Sequence, residues 1–194
     1  MTATVLVTGF EPFDQHKAGV NPSWQAVRTL PQHMNGVALV VQEMPVEYAA
    51  VKARVPETLA QLRPACVVHV GVGKPGDIRL ERLAHNDGYA RPDNRGEIPP
   101  AGMAVPECQI AELRTSIDVD ALLDRMQATG WSVTASTDPG RYLCDFIYFT
   151  SLHICSRSGT PCLFVHVPPA GKQYSQEEIN SALHQLVGHI TKML

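Results

Sequence analysis

Short apolar runs rich in β-branched residues recur along the chain, and most of them end at glycine or proline. They predict strands at residues 4–8, 37–44, 66–71, 131–135 and 161–167. The run at 66–71 is apolar on both faces, which is typical of a central strand covered by helices. An alternating patch at 78–84 places Ile78 and Leu80 on one face and Arg79 and Glu81 on the other.

Apolar residues at steps of three and four predict amphipathic helices between these strands. Asn21 is suited to cap the first helix, and Ser175 with Glu178 resembles a capping box that begins the last one. Pro56 should kink the second helix or break it in two. The helices are predicted at residues 21–30, 47–62 and 118–129, from 138 onward, and from 175 onward.

This order of strands and helices predicts a mostly parallel α/β sheet with right-handed crossovers. A chain of 194 residues is long enough for one such domain and short for two, so a single domain over residues 1–194 is expected. Ligands bind such sheets beyond the carboxyl ends of strands. Residues 9–10 and 71–73 should lie there, with the aromatic side chains of Phe10 and Phe13 either covering the core or lining a pocket.

Composition narrows the range of functions. The net charge of −3 offers no basic face for nucleic acid, and no apolar run is long enough to span a bilayer. The first residues lack the features of a signal peptide, so a soluble cytoplasmic protein is expected. The five cysteines are odd in number and contain no C-x-x-C pair, which argues against a disulfide framework or a cysteine zinc site and fits a reducing compartment.

Cys144 is the first candidate for chemistry. Asp138 and Pro139 are helix start signals, so Cys144 should fall in or near the first turns of its helix. There the unpaired backbone N–H groups and the helix dipole would favour a thiolate, the form that a nucleophile needs. The alternative is a small buried hydrophobic residue, which is how Cys66 is interpreted.

His166 lies at the carboxyl end of the last predicted strand, at the sheet edge that also leads to the Cys144 helix. Its imidazole could take the thiol proton and later protonate a leaving amine, provided that an acid orients the ring. Glu81 and Asp77 are the candidate acids, and alternation directs Glu81 away from the apolar patch. On spacing alone, a surface Glu81 paired with Arg79 or Arg82 is the favoured interpretation. No histidine pair in the catalytic region has a ligand-like helical spacing, so a metal site is a weak alternative. His69 is interpreted as a hydrogen-bonded core residue.

Six segments of the chain together resemble the type I pyroglutamyl peptidases, also called pyrrolidone-carboxylate peptidases, and they occur in that family's order. They are Thr8-Gly-Phe-Glu-Pro-Phe13, Asn21-Pro-Ser-Trp24, Glu81-Arg-Leu-Ala-His-Asn86, Arg91-Pro-Asp-Asn94, Gly140-Arg-Tyr-Leu-Cys144 and Phe164-Val-His-Val-Pro168.

The resemblance implies an open α/β/α sandwich and a cysteine exopeptidase that removes an N-terminal L-pyroglutamyl residue from peptides without a metal or organic cofactor. It assigns the catalytic triad to Cys144, His166 and Glu81, and an electrostatic role near the oxyanion to Arg91. Phe10 and Phe13 match the aromatic residues that sandwich the lactam ring, and Asn21 and Leu143 are the further substrate-binding candidates. Peptides are the expected partners, and assembly into a homo-oligomer is compatible with the sequence.

Two departures from the family pattern concern the binding pocket. Residues 14–15 and 72–75 differ from the common bacterial sequences, and Asp145 stands where many members have Asn. A cysteine amidase with a different acyl specificity is therefore an alternative function. A catalytically silent α/β module that binds a small molecule is another, although residues 71–76 lack the order of a dinucleotide or phosphate-binding loop.

Overall fold

The computed structural model describes residues 3–13 and 20–194. Within them nine strands and five helices form one α/β/α sandwich. The strands are β1 (Thr4–Phe10), β2 (His33–Met34), β3 (Val37–Met44), β4 (Cys66–Val72), β5 (Ile78–Glu81), β6 (Leu83–His85), β7 (Glu112–Arg114), β8 (Val133–Ser136) and β9 (Cys162–Val167). The helices are α1 (Pro22–Val27), α2 (Tyr48–Leu62), α3 (Val119–Gln127), α4 (Leu143–Ser158) and α5 (Gln176–Thr191).

The central sheet has seven strands in the order β2-β3-β1-β4-β9-β5-β8 in the described residues. Strands β3, β1, β4 and β9 are parallel, and β5 is parallel to β8. The mostly parallel sheet is thus confirmed. The sequence did not reveal that β5 and β9 pair antiparallel, so the sheet reverses direction between these two strands.

Alternating side chains of the strands feed two separate cores, because successive residues point to opposite faces. Val5 and Val7 of β1 pack with α1, α3 and α5 on one face. Leu6 packs with α2 and α4 on the other. In β9, Leu163 and Val165 belong to the first core and Phe164 to the second, so His166 also points to the face covered by α2 and α4.

The predicted helix caps are confirmed where a side chain satisfies a free backbone amide. The Ser23 N–H donates to Asn21 Oδ1 at the start of α1, and Ser175 and Glu178 form a reciprocal capping box at α5. Of the two effects predicted for Pro56, a break does not occur, because α2 continues from Tyr48 to Leu62 through this residue.

The segment between β5 and α3 was the hardest to interpret from the sequence. It contains the antiparallel pair β6–β7 and one turn of 3₁₀ helix at Pro100–Gly102. Asn86 connects this segment internally, because its amide donates to the carbonyls of Val105 and Cys108 and accepts from the Val105 N–H. Among the described helices, none combines the length and the apolar character needed to cross a membrane.

Candidate active site

The reversal between β5 and β9 places an acid next to an imidazole. Arg79 pairs with His166 and Glu81 pairs with Phe164, so all four side chains lie on the sheet face that α4 covers. The His166 Nδ1–H donates to Glu81 Oε1 at 2.7 Å. The remaining ring nitrogen, Nε2, is then available for proton transfer, with its tautomer set by the bond to Glu81.

Glu81 is completely buried, which contradicts the interpretation of a surface ion pair. Arg82 instead pairs with Asp120, and Asp77 accepts a hydrogen bond from Ser132 away from the site. The second oxygen of Glu81, Oε2, is buried and has no hydrogen-bond partner within the described part of the chain. A buried carboxylate oxygen without a hydrogen-bond donor is unusual in a folded protein, and here it lies in the residue that holds the His166 ring.

Cys144 is the second residue of α4, and its sulfur occupies space left by a glycine beside His166. Gly71 of β4 is the register partner of His166. A Cβ added at Gly71 would lie 2.8 Å from Cys144 Sγ, so the thiol packs directly against this strand position. Cys144 and His166 line the same cavity, whose volume is about 320 Å³.

The protonation state of Cys144 differs from the sequence-based expectation. Burial raises the pKa of its thiol to about 12, and the carboxylates of Asp145 and Glu81 act in the same direction. The backbone N–H of Cys144 and the Arg91 guanidinium lower this pKa, but their effect is smaller. Burial thus opposes the effect expected from the start of the helix, and a nucleophilic role for Cys144 would require a base that removes its proton.

The start of α4 also lies later than predicted, because the helix begins at Leu143 and not at Asp138. Gly140 and Arg141 both adopt positive φ, 97° and 49°, in the turn that precedes the helix. Asp145 holds this turn from inside the helix, since its Oδ2 accepts from the Arg141 backbone N–H at 3.4 Å and from Arg141 Nη1 at 3.2 Å.

Asp145 also binds His85 of β6, a contact that sequence reasoning missed. The His85 backbone N–H donates to Asp145 Oδ1 at 2.8 Å, and His85 Nδ1 donates to Oδ2 at 3.0 Å. This second buried imidazole–carboxylate pair ties β6 to the first turn of α4. No periodic pattern connects two residues that are 60 positions apart, so the sequence carried no signal for it.

Arg91 lies at the mouth of the cavity between two aromatic rings. Its guanidinium carbon is 4.2 Å from the Tyr142 ring centroid and 5.9 Å from that of Phe13, distances typical of cation–π contacts. The backbone carbonyl of Arg91 accepts from the Tyr48 hydroxyl. Tyr142, which the sequence analysis did not single out, therefore orients Arg91 at the cavity.

The other predicted substrate-binding residues line the same cavity: Phe10, Phe13, Asn21 and Leu143. Phe10 ends β1 and Leu143 begins α4, and both are buried. Asn21 also has a structural role, since its amide donates to the Glu11 carbonyl while its Oδ1 caps α1. Residues 14–15 lie outside the described residues.

The remaining candidates have structural roles. His69 is buried and hydrogen bonded to Thr8 Oγ1 and Ser151 Oγ, as predicted for a core histidine. Burial raises the pKa of the Cys66 thiol to about 12, in line with an inert residue. In residues 3–13 and 20–194, no group of three or more His, Cys, Asp or Glu side chains is arranged to hold a metal ion.

An α/β/α sandwich that brings a thiol, an imidazole and a carboxylate together around one cavity has the arrangement of a cysteine hydrolase. The chain belongs to the pyroglutamyl peptidase family, whose model matches residues 3–185.

Named relatives agree with this membership. The chain is 40% identical over 195 residues to pyroglutamyl-peptidase 1 of Homo sapiens, covering 98% of this chain and 90% of the human one. It is 35% identical to the pyrrolidone-carboxylate peptidase of Pseudomonas fluorescens strain SBW25, covering 84% and 78% of the two chains.

Solved structures share the whole fold. The pyrrolidone carboxyl peptidase of Thermus thermophilus is 29% identical, with a TM-score of 0.85 over 95% of this chain and 99% of that one. A mutant pyrrolidone carboxyl peptidase from Pyrococcus furiosus is 26% identical, with a TM-score of 0.89 over 98% and 99%. The predicted fold class and family are therefore confirmed.

Proposed function

We propose that this protein is a cysteine exopeptidase that hydrolyses the amide bond after an N-terminal L-pyroglutamyl residue of peptides. The observation that carries the proposal is the Glu81–His166 hydrogen bond of 2.7 Å at a cavity that Cys144 also lines. Membership of the pyroglutamyl peptidase family supports the acyl group.

In the proposed reaction His166 acts as a general base. Because burial raises the pKa of the Cys144 thiol, His166 Nε2 accepts its proton as the sulfur attacks the substrate carbonyl, and Glu81 stabilises the resulting imidazolium. His166 then gives the proton to the nitrogen of the leaving peptide as the C–N bond breaks. A thioester remains on Cys144, and water activated by His166 hydrolyses it to release pyroglutamate.

The oxyanion formed on attack needs hydrogen-bond donors close to the sulfur. The backbone N–H of Cys144 is in the first turn of α4, where N–H groups have no partner within the helix. Arg91, held by Tyr142, supplies a positive charge at the same cavity. We assign these two groups to oxyanion stabilisation, where one donor is typically worth about 3 kcal/mol of transition-state binding.

The pocket fits a flat, uncharged lactam. Phe10, Phe13 and Leu143 provide apolar walls, and Asn21 lies beside them. A buried lactam N–H or C=O without a partner would weaken binding, so backbone groups at this edge of the sheet must satisfy it. A free N-terminal glutamate would bring charges into the pocket and should be rejected.

The assignment is tested by release of a fluorophore from pyroglutamyl, prolyl and glutaminyl amides, each with a thiol reductant present. We expect rapid cleavage of the pyroglutamyl amide alone. Equal rates on all three amides would favour the alternative function, a cysteine amidase with a different acyl specificity. That alternative is considered because residues 72–75, which differ from the common family sequence, lie at the cavity.

Iodoacetamide labelling tests the nucleophile. We expect Cys144 to be alkylated faster than the four other free cysteines, because they are buried while Cys144 is partly exposed at the cavity that His166 also lines. Pyroglutamate analogues should protect it. Cys144→Ala should abolish turnover, while the matched control Cys108→Ala should not. Uniform labelling of all five thiols would favour a catalytically silent binding module.

A reducing, cytoplasmic location is part of the proposal, because all five cysteines are free and the nucleophile must stay reduced. Assembly into a homo-oligomer stays a prediction, which light scattering would check.

A further inference from the structure

The active-site cavity contains two cationic side chains that the proposed mechanism does not use. Lys74 and Arg79 both line it, together with Arg91. Arg79 lies on β5 two residues before Glu81, so strand alternation points it toward the same face as the acid. It is the register partner of His166 in the antiparallel pair. Arg79 therefore flanks the proposed general base.

The guanidinium of Arg79 occupies space that a side chain at Gly73 would fill. A Cβ added at Gly73 would lie 2.3 Å from Arg79 Nη2 and 3.0 Å from His166 Cβ. The backbone of Gly73 is fixed, because its N–H donates to the Val167 carbonyl at 2.8 Å. Only a residue without a side chain at position 73 allows this placement of Arg79.

Arg79 and Lys74 have no charged partner in the structure. Within residues 3–13 and 20–194, neither side chain makes a hydrogen bond or an ion pair. The contrast with Arg82 is clear, since that neighbouring arginine is paired with Asp120 on the surface. Among the described residues that line the cavity, the one acid is Asp138, and it already accepts from the Gly140 N–H. An arginine that faces a cavity without a partner is suited to bind an anion there.

We propose that Arg79 and Lys74 form a subsite for a carboxylate on the leaving side of the substrate, next to the scissile bond. The inference rests on the proposed function. His166 must reach the nitrogen of the leaving residue to protonate it, so that residue lies beside Arg79, opposite His166. In a pyroglutamyl dipeptide the α-carboxylate is two bonds from that nitrogen, and an acidic side chain is only slightly farther away.

The test compares substrates that differ in one charge. The first pair is pyroglutamyl-alanine and its C-terminal amide, and the second is pyroglutamyl-glutamate amide and pyroglutamyl-glutamine amide. We expect kcat/KM at low salt to be about tenfold higher for the charged member of at least one pair, as for a charge-assisted contact in a partly solvated site. The preference should shrink at high ionic strength. A preference in the first substrate pair would show that the subsite binds the C-terminal carboxylate, and a preference in the second would show that it binds a side-chain carboxylate.

Variants link the preference to the two residues. Arg79→Gln should bring the ratio of charged to neutral substrate close to one, Lys74→Gln should reduce it partly, and Arg79→Lys should keep most of it. Arg82→Gln is the matched control, because Arg82 is paired outside the cavity, and it should keep the full ratio.

Three outcomes would overturn the subsite. If the protein cleaves charged and neutral members of both pairs with equal kcat/KM, there is no carboxylate preference. If Arg79→Gln lowers both members by the same factor, Arg79 acts through His166 and not through the substrate. If no pyroglutamyl peptide is cleaved at all, both the proposed function and the subsite are wrong. In the first two outcomes the peptides are still cleaved, so only the subsite is wrong.

Discussion

The structure contains two buried imidazole–carboxylate pairs, His85–Asp145 and His166–Glu81, and they differ in how many hydrogen bonds the carboxylate accepts. Asp145 accepts hydrogen bonds from the backbone and side chains of His85 and Arg141 through both of its oxygens. Glu81 accepts one from His166, while its second oxygen has no partner among the described residues. Only His166 faces the cavity. The His85–Asp145 pair, in which both carboxylate oxygens are hydrogen bonded, is suited to stabilise a turn. The His166–Glu81 pair, which keeps one oxygen without a donor and lies beside a cavity, is suited to catalysis.

The largest effect is expected on kcat, when the carboxylate of the His166–Glu81 pair is removed. Glu81→Gln removes the negative charge that stabilises the His166 imidazolium, and the Gln amide can hold the His166 ring in the wrong tautomer. We therefore expect kcat to fall about ten-thousandfold, as it does when the acid of a serine triad is replaced by its amide. The free energy of unfolding should change by less than about 1 kcal/mol, because the loss of the His166 hydrogen bond is offset by removal of a buried charge with a high desolvation cost. Steady-state kinetics and urea unfolding measure both quantities. A fall in kcat of less than tenfold would remove Glu81 from the proposed triad.

The reverse result is expected for the second pair. Asp145→Ala leaves the donors of His85 and Arg141 without an acceptor, and the free energy of unfolding should fall by about 3 kcal/mol. The pyroglutamyl-amidase activity of the folded fraction should fall by less than about tenfold. Asp145→Asn, which keeps one acceptor, is the control and should lose about half as much stability. Unchanged urea unfolding of Asp145→Ala would show that the pair does not stabilise the turn.

A third histidine sharpens the comparison, because His69 has hydroxyl partners and no carboxylate. Burial lowers its pKa from 6.5 to about 3. The unfolded chain therefore binds a proton at His69 more readily than the folded chain does. The free energy of unfolding is unaffected by this residue above pH 6.5 and decreases as the pH falls from 6.5 toward 3. Each pKa unit is worth about 1.36 kcal/mol, which predicts a loss of about 3 kcal/mol between pH 7 and pH 4 from this residue.

His69→Asn removes this titrating group. The variant should be less stable at pH 7, and its free energy of unfolding should depend less on pH between 7 and 4 than that of the parent protein. Urea unfolding at several pH values gives this slope. Parallel pH profiles for the two proteins would mean that His69 does not titrate in this way.

Local patterns predicted much of the fold because their causes are local. The capping box at Ser175, the Asn21 cap and the bounds of β3 depend on neighbouring residues, and they were found correctly. Pro56 did not interrupt α2, since packing of buried residues along this helix outweighs the loss of one backbone hydrogen bond. The start of α4 was misplaced because Gly140 and Arg141 adopt positive φ, which depends on contacts with Asp145.

The site was predicted only in part. Family motifs named Cys144, His166 and Glu81, and strand alternation already placed Arg79 on the face of Glu81. The sequence could not show that β5 pairs antiparallel with β9, because strand pairing over such a separation leaves no periodic signal. It also favoured a thiolate at Cys144, since burial and the carboxylates around the sulfur are properties of the folded chain.

The bond between Glu81 and His166 joins residues 85 positions apart in the chain. If these residues have the roles proposed above, hydrolysis requires β9 to be docked between β4 and β5, and such non-local pairing is slow. During refolding from urea, far-UV ellipticity should recover before enzymatic turnover does. A chain synthesised only to the end of α4 would carry the proposed acid and nucleophile without the proposed base, His166.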